Sequence, residues 1–286
     1  GLGNVINERQ ATKTEFDAHQ ADDVSQGEVH GLRTNANKEL EYFDGEEWKP
    51  SHYKWAPPDD TSGSPGPERL LAGTMDAGFF GEVPASELMN GADLCSAIGL
   101  TQGNLQHSNE PFLKFAYNGK ILFVNKKPIR NSVPWDAIAS AGAVYGDGSS
   151  QGNAQVTIDG LTYKVRLMKG AREDPADWEA DDRSAIGSEW NDLMYPIHVN
   201  ANTGDWNYSQ YVGNNVPDWG VGYTDEDLLT HSDFGDGAYS WTQETRSDNT
   251  SNRVYRGGIG VSHLSSTTSS NSGSNRGARF VLELVD

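Results

Sequence analysis

Three Asx-Gly dipeptides set among alternating apolar residues constrain this chain more than any other feature. They are Asp44-Gly45, Asn118-Gly119 and Asp159-Gly160. Asn, Asp and Gly tolerate the positive φ of tight hairpin turns, so each dipeptide predicts an antiparallel pair of strands. The expected arms carry Leu40, Tyr42 and Trp48 in the first hairpin. They are Phe112–Phe115 and Lys120–Val124 in the second, and Ala154–Ile158 and Leu161–Leu167 in the third. Further short strands are expected at Tyr239–Thr242, Arg253–Tyr255 and Arg279–Leu284. Helical signals are fewer. Ser86–Ile98 has Pro84 at its start and Gly99 at its end, Pro134–Ser140 follows Val133, and Ser188–Val199 reads as a helix running into a strand. The mixture predicts an α+β fold with long loops.

Charge and composition exclude several function classes. The formal net charge is -19, so phosphate backbones and anionic lipid would repel the chain, and neither nucleic acid nor a membrane is an expected partner. No apolar run approaches the length of a membrane span. The one cysteine, Cys95, allows neither an internal disulfide nor a Cys-based zinc cage, and its setting in ADLCSAIGL predicts burial. No cationic segment precedes an apolar one at Gly1, so no signal peptide is expected, and a first residue other than Met suggests a processed or tagged start.

Four segments are expected. Residues 1–30 form an N-terminal helical or extended attachment segment. Within it Val5, Ile6, Ala11, Phe16 and Ala18 are too sparse for an independent helix, which leaves a short coiled-coil-like stalk and a frayed leader both open. Residues 31–49 form a small β-hairpin module that must pack on a neighbour, as it would within a trimer. Residues 50–68, dense in Pro, Gly, Ser and Asp, read as a linker, and 69–286 as one large domain.

From about Phe112 onward the chain resembles the C-type-lectin-fold domains of bacteriophage and prophage virion proteins. The blocks that carry the likeness are FLKFAYNGKILFVNKKPIRNSVPWDAI, VTIDGLTYKVRLMKG, SEWNDLMYPIH, GAYSWTQET, NRVYRGG and RGARFVLEL. The last three also resemble, in their order, blocks of the formylglycine-generating enzyme superfamily. Ala278 stands where an aromatic is usual and Phe280 where Pro is frequent, and that superfamily's catalytic cysteines are absent from the C-terminal part. A non-catalytic relative is therefore expected. Separately, HGLRTNANKELEYFDGEEWK resembles short modules of phage tail and fibre proteins.

The polar segment Ser262–Asn275 lies between two blocks that read as rigid strands, a layout suited to a binding loop. The resemblance implies that this loop faces ligand, and so implies ligand contacts by His263, Ser265, Thr267, Asn271 and Asn275. A flexible loop without a ligand is the alternative. Trp206, Tyr208, Tyr211, Trp219 and Tyr223 lie among glycines and asparagines, a setting for sugar stacking or a protein hot spot, with burial on the core as the alternative. Of these, Trp206, Tyr208 and Trp219 are candidate ligand residues. Arg256, Gly257, Gly258, Trp241 and Arg279 are expected to be a structural brace, because consecutive glycines permit positive φ or close backbone approach and Arg256 can clamp carbonyls.

Metal and catalytic signals are weak. Trp190-Asn191-Asp192 matches the tripeptide that C-type lectins use for calcium, but no Glu-Pro-Asn partner motif accompanies it. Asp225, Glu226, Asp227, Asp233 and Asp236 offer oxygens without EF-hand spacing. No cofactor is expected, and structural calcium stays a minor alternative. The histidines, at 19, 30, 52, 107, 198, 231 and 263, include no pair at helical metal-ligand spacing. The chain is thus expected to be a phage virion fibre or tail component, not an enzyme, attached through its N-terminal segment to other virion proteins as a homotrimer. Its lectin-fold domain would bind a host-surface glycan or protein. The alternatives are a capsid, collar or tail decoration protein without a receptor, and a glycan-cleaving virion enzyme built on a carboxylate pair.

Overall fold

A computed structural model describes residues 32–34, 39–43, 48–54, 59–201, 209–213 and 216–285. The expected stalk at residues 4–26 lies outside these. The chain divides into two compact units, Gly1–Pro58 and Asp59–Asp286.

In the first unit, β1 (Leu32–Thr34), β2 (Glu39–Phe43) and β3 (Trp48–Lys54) form an antiparallel sheet. Phe43 pairs with Trp48, so β2 and β3 flank the Asp44-Gly45 dipeptide, which itself lies outside the described residues. The sequence reading placed a linker from residue 50, whereas β3 continues to Lys54. Pro50 sits opposite Glu41 in that strand, so the proline-rich composition that suggested a linker is accommodated in a sheet.

In the second unit a seven-stranded antiparallel sheet forms the frame. Its strands are β4 (Ala72–Gly73), β5 (Ala77–Val83), β7 (Phe112–Tyr117), β8 (Lys120–Asn125), β10 (Gln155–Ile158), β11 (Leu161–Leu167) and β16 (Phe280–Leu284), in the order β10-β11-β16-β8-β7-β5-β4. Tyr117 pairs with Lys120 across Asn118 and Gly119, both at positive φ, and Ile158 pairs with Leu161 across Asp159 and Gly160, likewise at positive φ. Those two hairpins arise where the turn chemistry requires them.

Both faces of this sheet are covered. Phe112, Phe123, Tyr163 and Leu282 join one core cluster, while their strand neighbours Leu113, Leu122, Val124 and Val281 join the other. Side-chain alternation along each strand therefore feeds two cores. The helices α1 (Gly91–Ala97) and α2 (Trp135–Ser140) pack into the first cluster, where Cys95 is buried. The helix α3 (Glu189–Met194) packs into the second, beside the end of the short helix α4 (Asp225–Leu228).

Two helix expectations need correction. Ser86–Ile98 is not one helix: a 3-10 turn at Ala85–Glu87 is followed by α1, because the Asn90 side chain accepts from Asp93 N and starts a new helix there. Ser188–Val199 does not run into a strand. Ser188 caps α3, and Tyr195–Ala201 turns back on itself, joined to Tyr223 by a bridge at His198.

Lys114 on β7 is fully buried, and its ammonium lies 2.7 Å from the Asp60 carboxylate and 3.0 Å from the Pro65 carbonyl. The part of the 50–68 stretch within this unit is thereby fastened to the frame through a buried charge pair.

Candidate functional site

A second sheet carries the candidates Trp241, Arg256, Gly257, Ser265 and Thr267. Its strands are β12 (Tyr239–Thr245), β13 (Asn252–Gly257), β14 (Leu264–Thr268) and β15 (Arg276–Gly277), in the order β14-β13-β12-β15. A two-stranded ribbon, β6 (Asn104–Leu105) with β9 (Arg130–Asn131), lies apart from it in the pairing order. The expected open loop 262–275 is corrected here. Its first half is strand β14, since Tyr255 pairs with Ser265 and Arg253 with Thr267. Thr and Ser alternate well in a pleated sheet once β13 supplies the ladder, which a polarity argument alone overlooks.

Directly paired residues of a sheet share a face. Trp241 pairs with Tyr255, Tyr255 with Ser265, Arg253 with Thr267, and Tyr239 with Arg276. Ser265 and Thr267 therefore share one face with Tyr239, Trp241, Arg253, Tyr255 and Arg276. The His263 ring lies 6.3 Å from each of the Tyr239 and Tyr255 rings, which are 5.0 Å from one another. The Arg276 guanidinium covers both tyrosines, at 4.4 Å from the Tyr239 ring and 4.3 Å from the Tyr255 ring. Its Nε and Nη1 are buried without a hydrogen-bond partner.

The candidates differ in what they offer. Ser265, Thr267, Asn271 and Asn275 are half-buried and border solvent. Asn271 Nδ2 donates to Thr267 Oγ1 at 3.3 Å, and the Asn275 carbonyl accepts from Tyr239 N at 2.9 Å. His263 is buried, and its Nδ1 donates to the Gly257 carbonyl at 2.6 Å. Burial holds this imidazole below its ordinary value, against that carbonyl bond and with the charges of Arg256, Arg183 and Arg276 adding to the effect. His263 is thus a neutral packing residue, which corrects the expectation of a ligand contact. The aromatic run is not one surface either. Trp219 packs against the second core cluster, Tyr211 is buried in a third, and the Tyr223 hydroxyl donates to Glu82. Trp206 and Tyr208 lie outside the described residues.

The expected brace is divided: Arg256 lies on the opposite face of the sheet and Arg279 just before β16, while Trp241 and Gly257 share the Tyr239 face. Arg256 donates to the carbonyls of His263 (3.2 Å) and Gly170 (2.7 Å) and to the Tyr195 hydroxyl. Arg279 donates to the Ser240 hydroxyl and to the carbonyls of Asn125, Lys126 and Leu228, with its guanidinium 5.7 Å from the Trp190 ring. Burial pushes the Arg279 guanidinium down to about 9. Trp241 Nε1 donates to the Val133 carbonyl at 2.8 Å. Gly257 and Gly258 have φ of +82° and +97°, and a Cβ at Gly258 would lie 1.3 Å from the Tyr239 ring. Tyr239 can reach the Arg276 side only because Gly258 has no side chain.

The calcium-type tripeptide is partly engaged internally, with Asn191 Oδ1 buried and without a hydrogen-bond partner among the described residues. Trp190 Nε1 donates to the Val261 carbonyl, Asn191 Nδ2 to the Tyr211 carbonyl, and Asp192 accepts from the Tyr117 hydroxyl. Asp227 forms a capping box with Thr224 at the start of α4. Among the described residues no three His, Cys, Asp or Glu side chains converge as a metal site.

His198 and Asp225 come nearest to a catalytic pair, with His198 Nε2 3.3 Å from Asp225 Oδ1. The second ring nitrogen accepts from Asn200 N at 3.1 Å, and Asp225 also accepts from the Thr230 hydroxyl and from Val261 N. With Nδ1 accepting from backbone and Nε2 facing Asp225, the pair ties the Tyr195–Ala201 turn to the start of α4. A cleft of about 660 Å³ is lined by Glu82, Ser86, Asn90 and Asn109, but Lys126 and Tyr223 hold Glu82, and Asn90 caps α1.

Sequence reasoning missed Tyr239, Tyr255, Arg253 and Arg276 as site residues. The signal was the matching period of two in Arg253-x-Tyr255 and Ser265-x-Thr267, which places all four on one side once the strands pair. Compared with known proteins, the chain matches no family model, no curated protein and no solved structure. Among the described residues no helix is long and apolar enough to cross a membrane.

Proposed function

We propose that this chain is a bacteriophage virion adhesion protein, a fibre or tail component. Its large domain binds a host-surface glycan or protein without covalent chemistry, through the face edged by the half-buried Tyr239, Ser265, Thr267 and Arg276. One observation carries the binding part of this reading. The register of β12, β13, β14 and β15 puts the half-buried Tyr239, Ser265, Thr267 and Arg276 on one side of a rigid sheet whose Trp241 and Tyr255 are anchored in the core. Such a face gives hydrogen bonds and stacking together, on an element that the buried Arg256 and Arg279 hold in place. The virion setting, attachment through the N-terminal segment and assembly as a homotrimer rest on the resemblance of the sequence blocks.

The test is binding of the full chain to an array of bacterial surface polysaccharides and glycoproteins. A Ser265→Arg/Thr267→Arg variant with an unchanged melting temperature serves as control. The expected result is saturable binding that the variant loses. If the oligomer, with avidity intact, binds no array member, the adhesin reading fails and a structural virion protein becomes the better account.

A further inference from the structure

We infer that acid loosens the edge strand β14: proton uptake by the buried His263 imidazole is coupled to release of β14 from β13, while the seven-stranded frame stays folded. This inference goes beyond the adhesin reading and does not depend on it.

The tautomer comes first. His263 Nδ1 lies 2.6 Å from the Gly257 carbonyl, and a carbonyl only accepts, so the neutral ring carries its proton on Nδ1. Nε2 is then the atom that gains a proton in acid. The ring is 9% exposed and shares one aromatic cluster with Tyr239 and Tyr255.

The surroundings oppose a charge at that place. From β15, the Arg276 guanidinium already covers both tyrosines. From β13, Arg256 Nε donates to the His263 carbonyl at 3.2 Å. From the loop between β11 and α3, Arg183 lies 5.3 Å over the Tyr211 ring, in the cluster that also buries Leu264. Tyr195, in the turn after α3, donates to the Ser262 carbonyl, and burial keeps its phenol neutral. At the start of α4, Asp225 accepts from Val261 N, but it is also bonded to Thr230 and faces His198. The bond to the Gly257 carbonyl favours a charged His263 ring. Burial and the charges of Arg256, Arg183 and Arg276 outweigh it and hold the imidazole below its ordinary value of 6.5. The closed state therefore keeps its full advantage above that value and loses it as pH falls below. Glu244, farther along β12, has the opposite sign, since its raised carboxyl favours the folded state in acid.

Strand β14 is where opening costs least. Among the described strands its neighbour in the sheet is β13 alone. Of its residues Leu264 is buried, while Ser265, Ser266 and Thr267 are half-buried and Thr268 is exposed. Strand β13, by contrast, lies between two strands and is tied through Arg256 to the Gly170 carbonyl. Segments with little buried apolar surface open before the rest of a fold. His263 immediately precedes β14, so lifting that strand brings the ring to water.

The experiment follows the full chain by amide hydrogen exchange from about pH 7.5 to about pH 4.5, with each rate referred to the intrinsic rate at that pH. NMR titration of the His263 ring runs beside it. The expected result is that protection of the β14 amides starts to fall near the ordinary imidazole value and drops about tenfold per pH unit. It levels off where the native ring titrates, and the amides of β7 and β8 keep their protection throughout. His263→Asn retains a donor for the Gly257 carbonyl and cannot ionise, so its β14 protection stays flat with pH. Flat β14 protection in the native chain overturns the inference. So does an equal fall in β7 and β8, which would be global acid unfolding, or an unchanged fall in His263→Asn. If that variant does not fold, the native ring decides: an imidazole that titrates at or above its ordinary value overturns the inference.

Discussion

The hydroxyl of Tyr195 accepts a hydrogen bond from the Arg256 guanidinium and donates one to the Ser262 carbonyl at 3.2 Å. This relay joins the turn after α3 to β13 and to the entry of β14. Both side chains are fully buried, and burial pushes the Tyr195 phenol up to about 12 even with Arg256 beside it. The phenol stays neutral at ordinary pH, so the relay is a charged donor satisfied by neutral oxygens. Tyr195→Phe removes one acceptor and is expected to cost about 1–2 kcal/mol. Arg256→Ala leaves the carbonyls of Gly170 and His263 without their donor and opens a cavity, at an expected cost of about 3–5 kcal/mol. Arg256→Lys should restore little, since one ammonium cannot reach three separated oxygens in a plane. Urea denaturation of the three variants checks the order, and a Lys variant as stable as the native chain would show that charge alone matters here.

Gly258 and Gly119 are both at positive φ, yet they should respond differently to alanine. At Gly258 the added Cβ meets the Tyr239 ring, while at Gly119 it meets nothing within 4 Å. Gly119→Ala is expected to cost about 1 kcal/mol, the conformational term alone. Gly258→Ala must also displace Tyr239, at a further cost of about 1–3 kcal/mol, and should disturb the Arg276 stack that lies on that ring. Tyrosine fluorescence alongside thermal melting separates the two effects. Equal losses at both positions would mean that Tyr239 moves aside freely.

The contrast between these glycines also marks what the sequence made legible. Asn118-Gly119 announced its hairpin because the turn is local, and α2 and the strands at 239, 252 and 280 were readable for the same reason. The buried charges were not. Nothing beside Lys114 in FLKFAY signals that its partner is Asp60, because that pairing crosses a long loop. Strand β14 was hidden for a related reason: its Ser and Thr residues look like a loop until β13 lies alongside. Within the candidate site, Ser265 and Thr267 were legible as polar residues on a framed segment. Arg276 and Tyr239 were not, because their meeting depends on a parallel pairing between β12 and β15.

The Lys114–Asp60 pair predicts how the start of the large unit behaves. Burial lowers the Lys114 ammonium, against the pull of Asp60. At Asp60, hydrogen bonds from Lys114, Ser62 and Ser64 outweigh burial and hold the carboxyl below its usual range. Asp60→Ala leaves an ammonium buried without its counter-charge and is expected to cost about 3–5 kcal/mol. Lys114→Met/Asp60→Ala removes both charges and should recover most of that loss. Limited proteolysis should cut residues 59–70 faster in Asp60→Ala than in the double variant. Equal cutting rates would show that the segment is held by its other contacts.

Glu244 gives the sharpest pH dependence. Both carboxylate oxygens face Gly170 N, at 3.0 and 3.1 Å, and the side chain is buried. Burial pushes the carboxyl up to about 7, although bonds from Thr242 and from the Gly170 and Ala171 backbone favour the charged form. In the unfolded chain the same group titrates near its ordinary value of 4.5. Between these two values the folded state holds a proton that the unfolded state has released. The contribution of Glu244 to stability is therefore greatest below about pH 4.5 and is lost as pH rises to about 7. Glu244→Gln keeps an oxygen for Gly170 and cannot ionise. The variant's stability relative to the native chain should rise between about pH 4.5 and pH 8, by up to about 3 kcal/mol. Urea midpoints measured across that range give the difference directly, and any constant cost of the amide cancels when its pH dependence is read. A difference that stays flat with pH would mean that the folded protein holds Glu244 ionised throughout, with the Arg256 charge, which feels Glu244, compensating it.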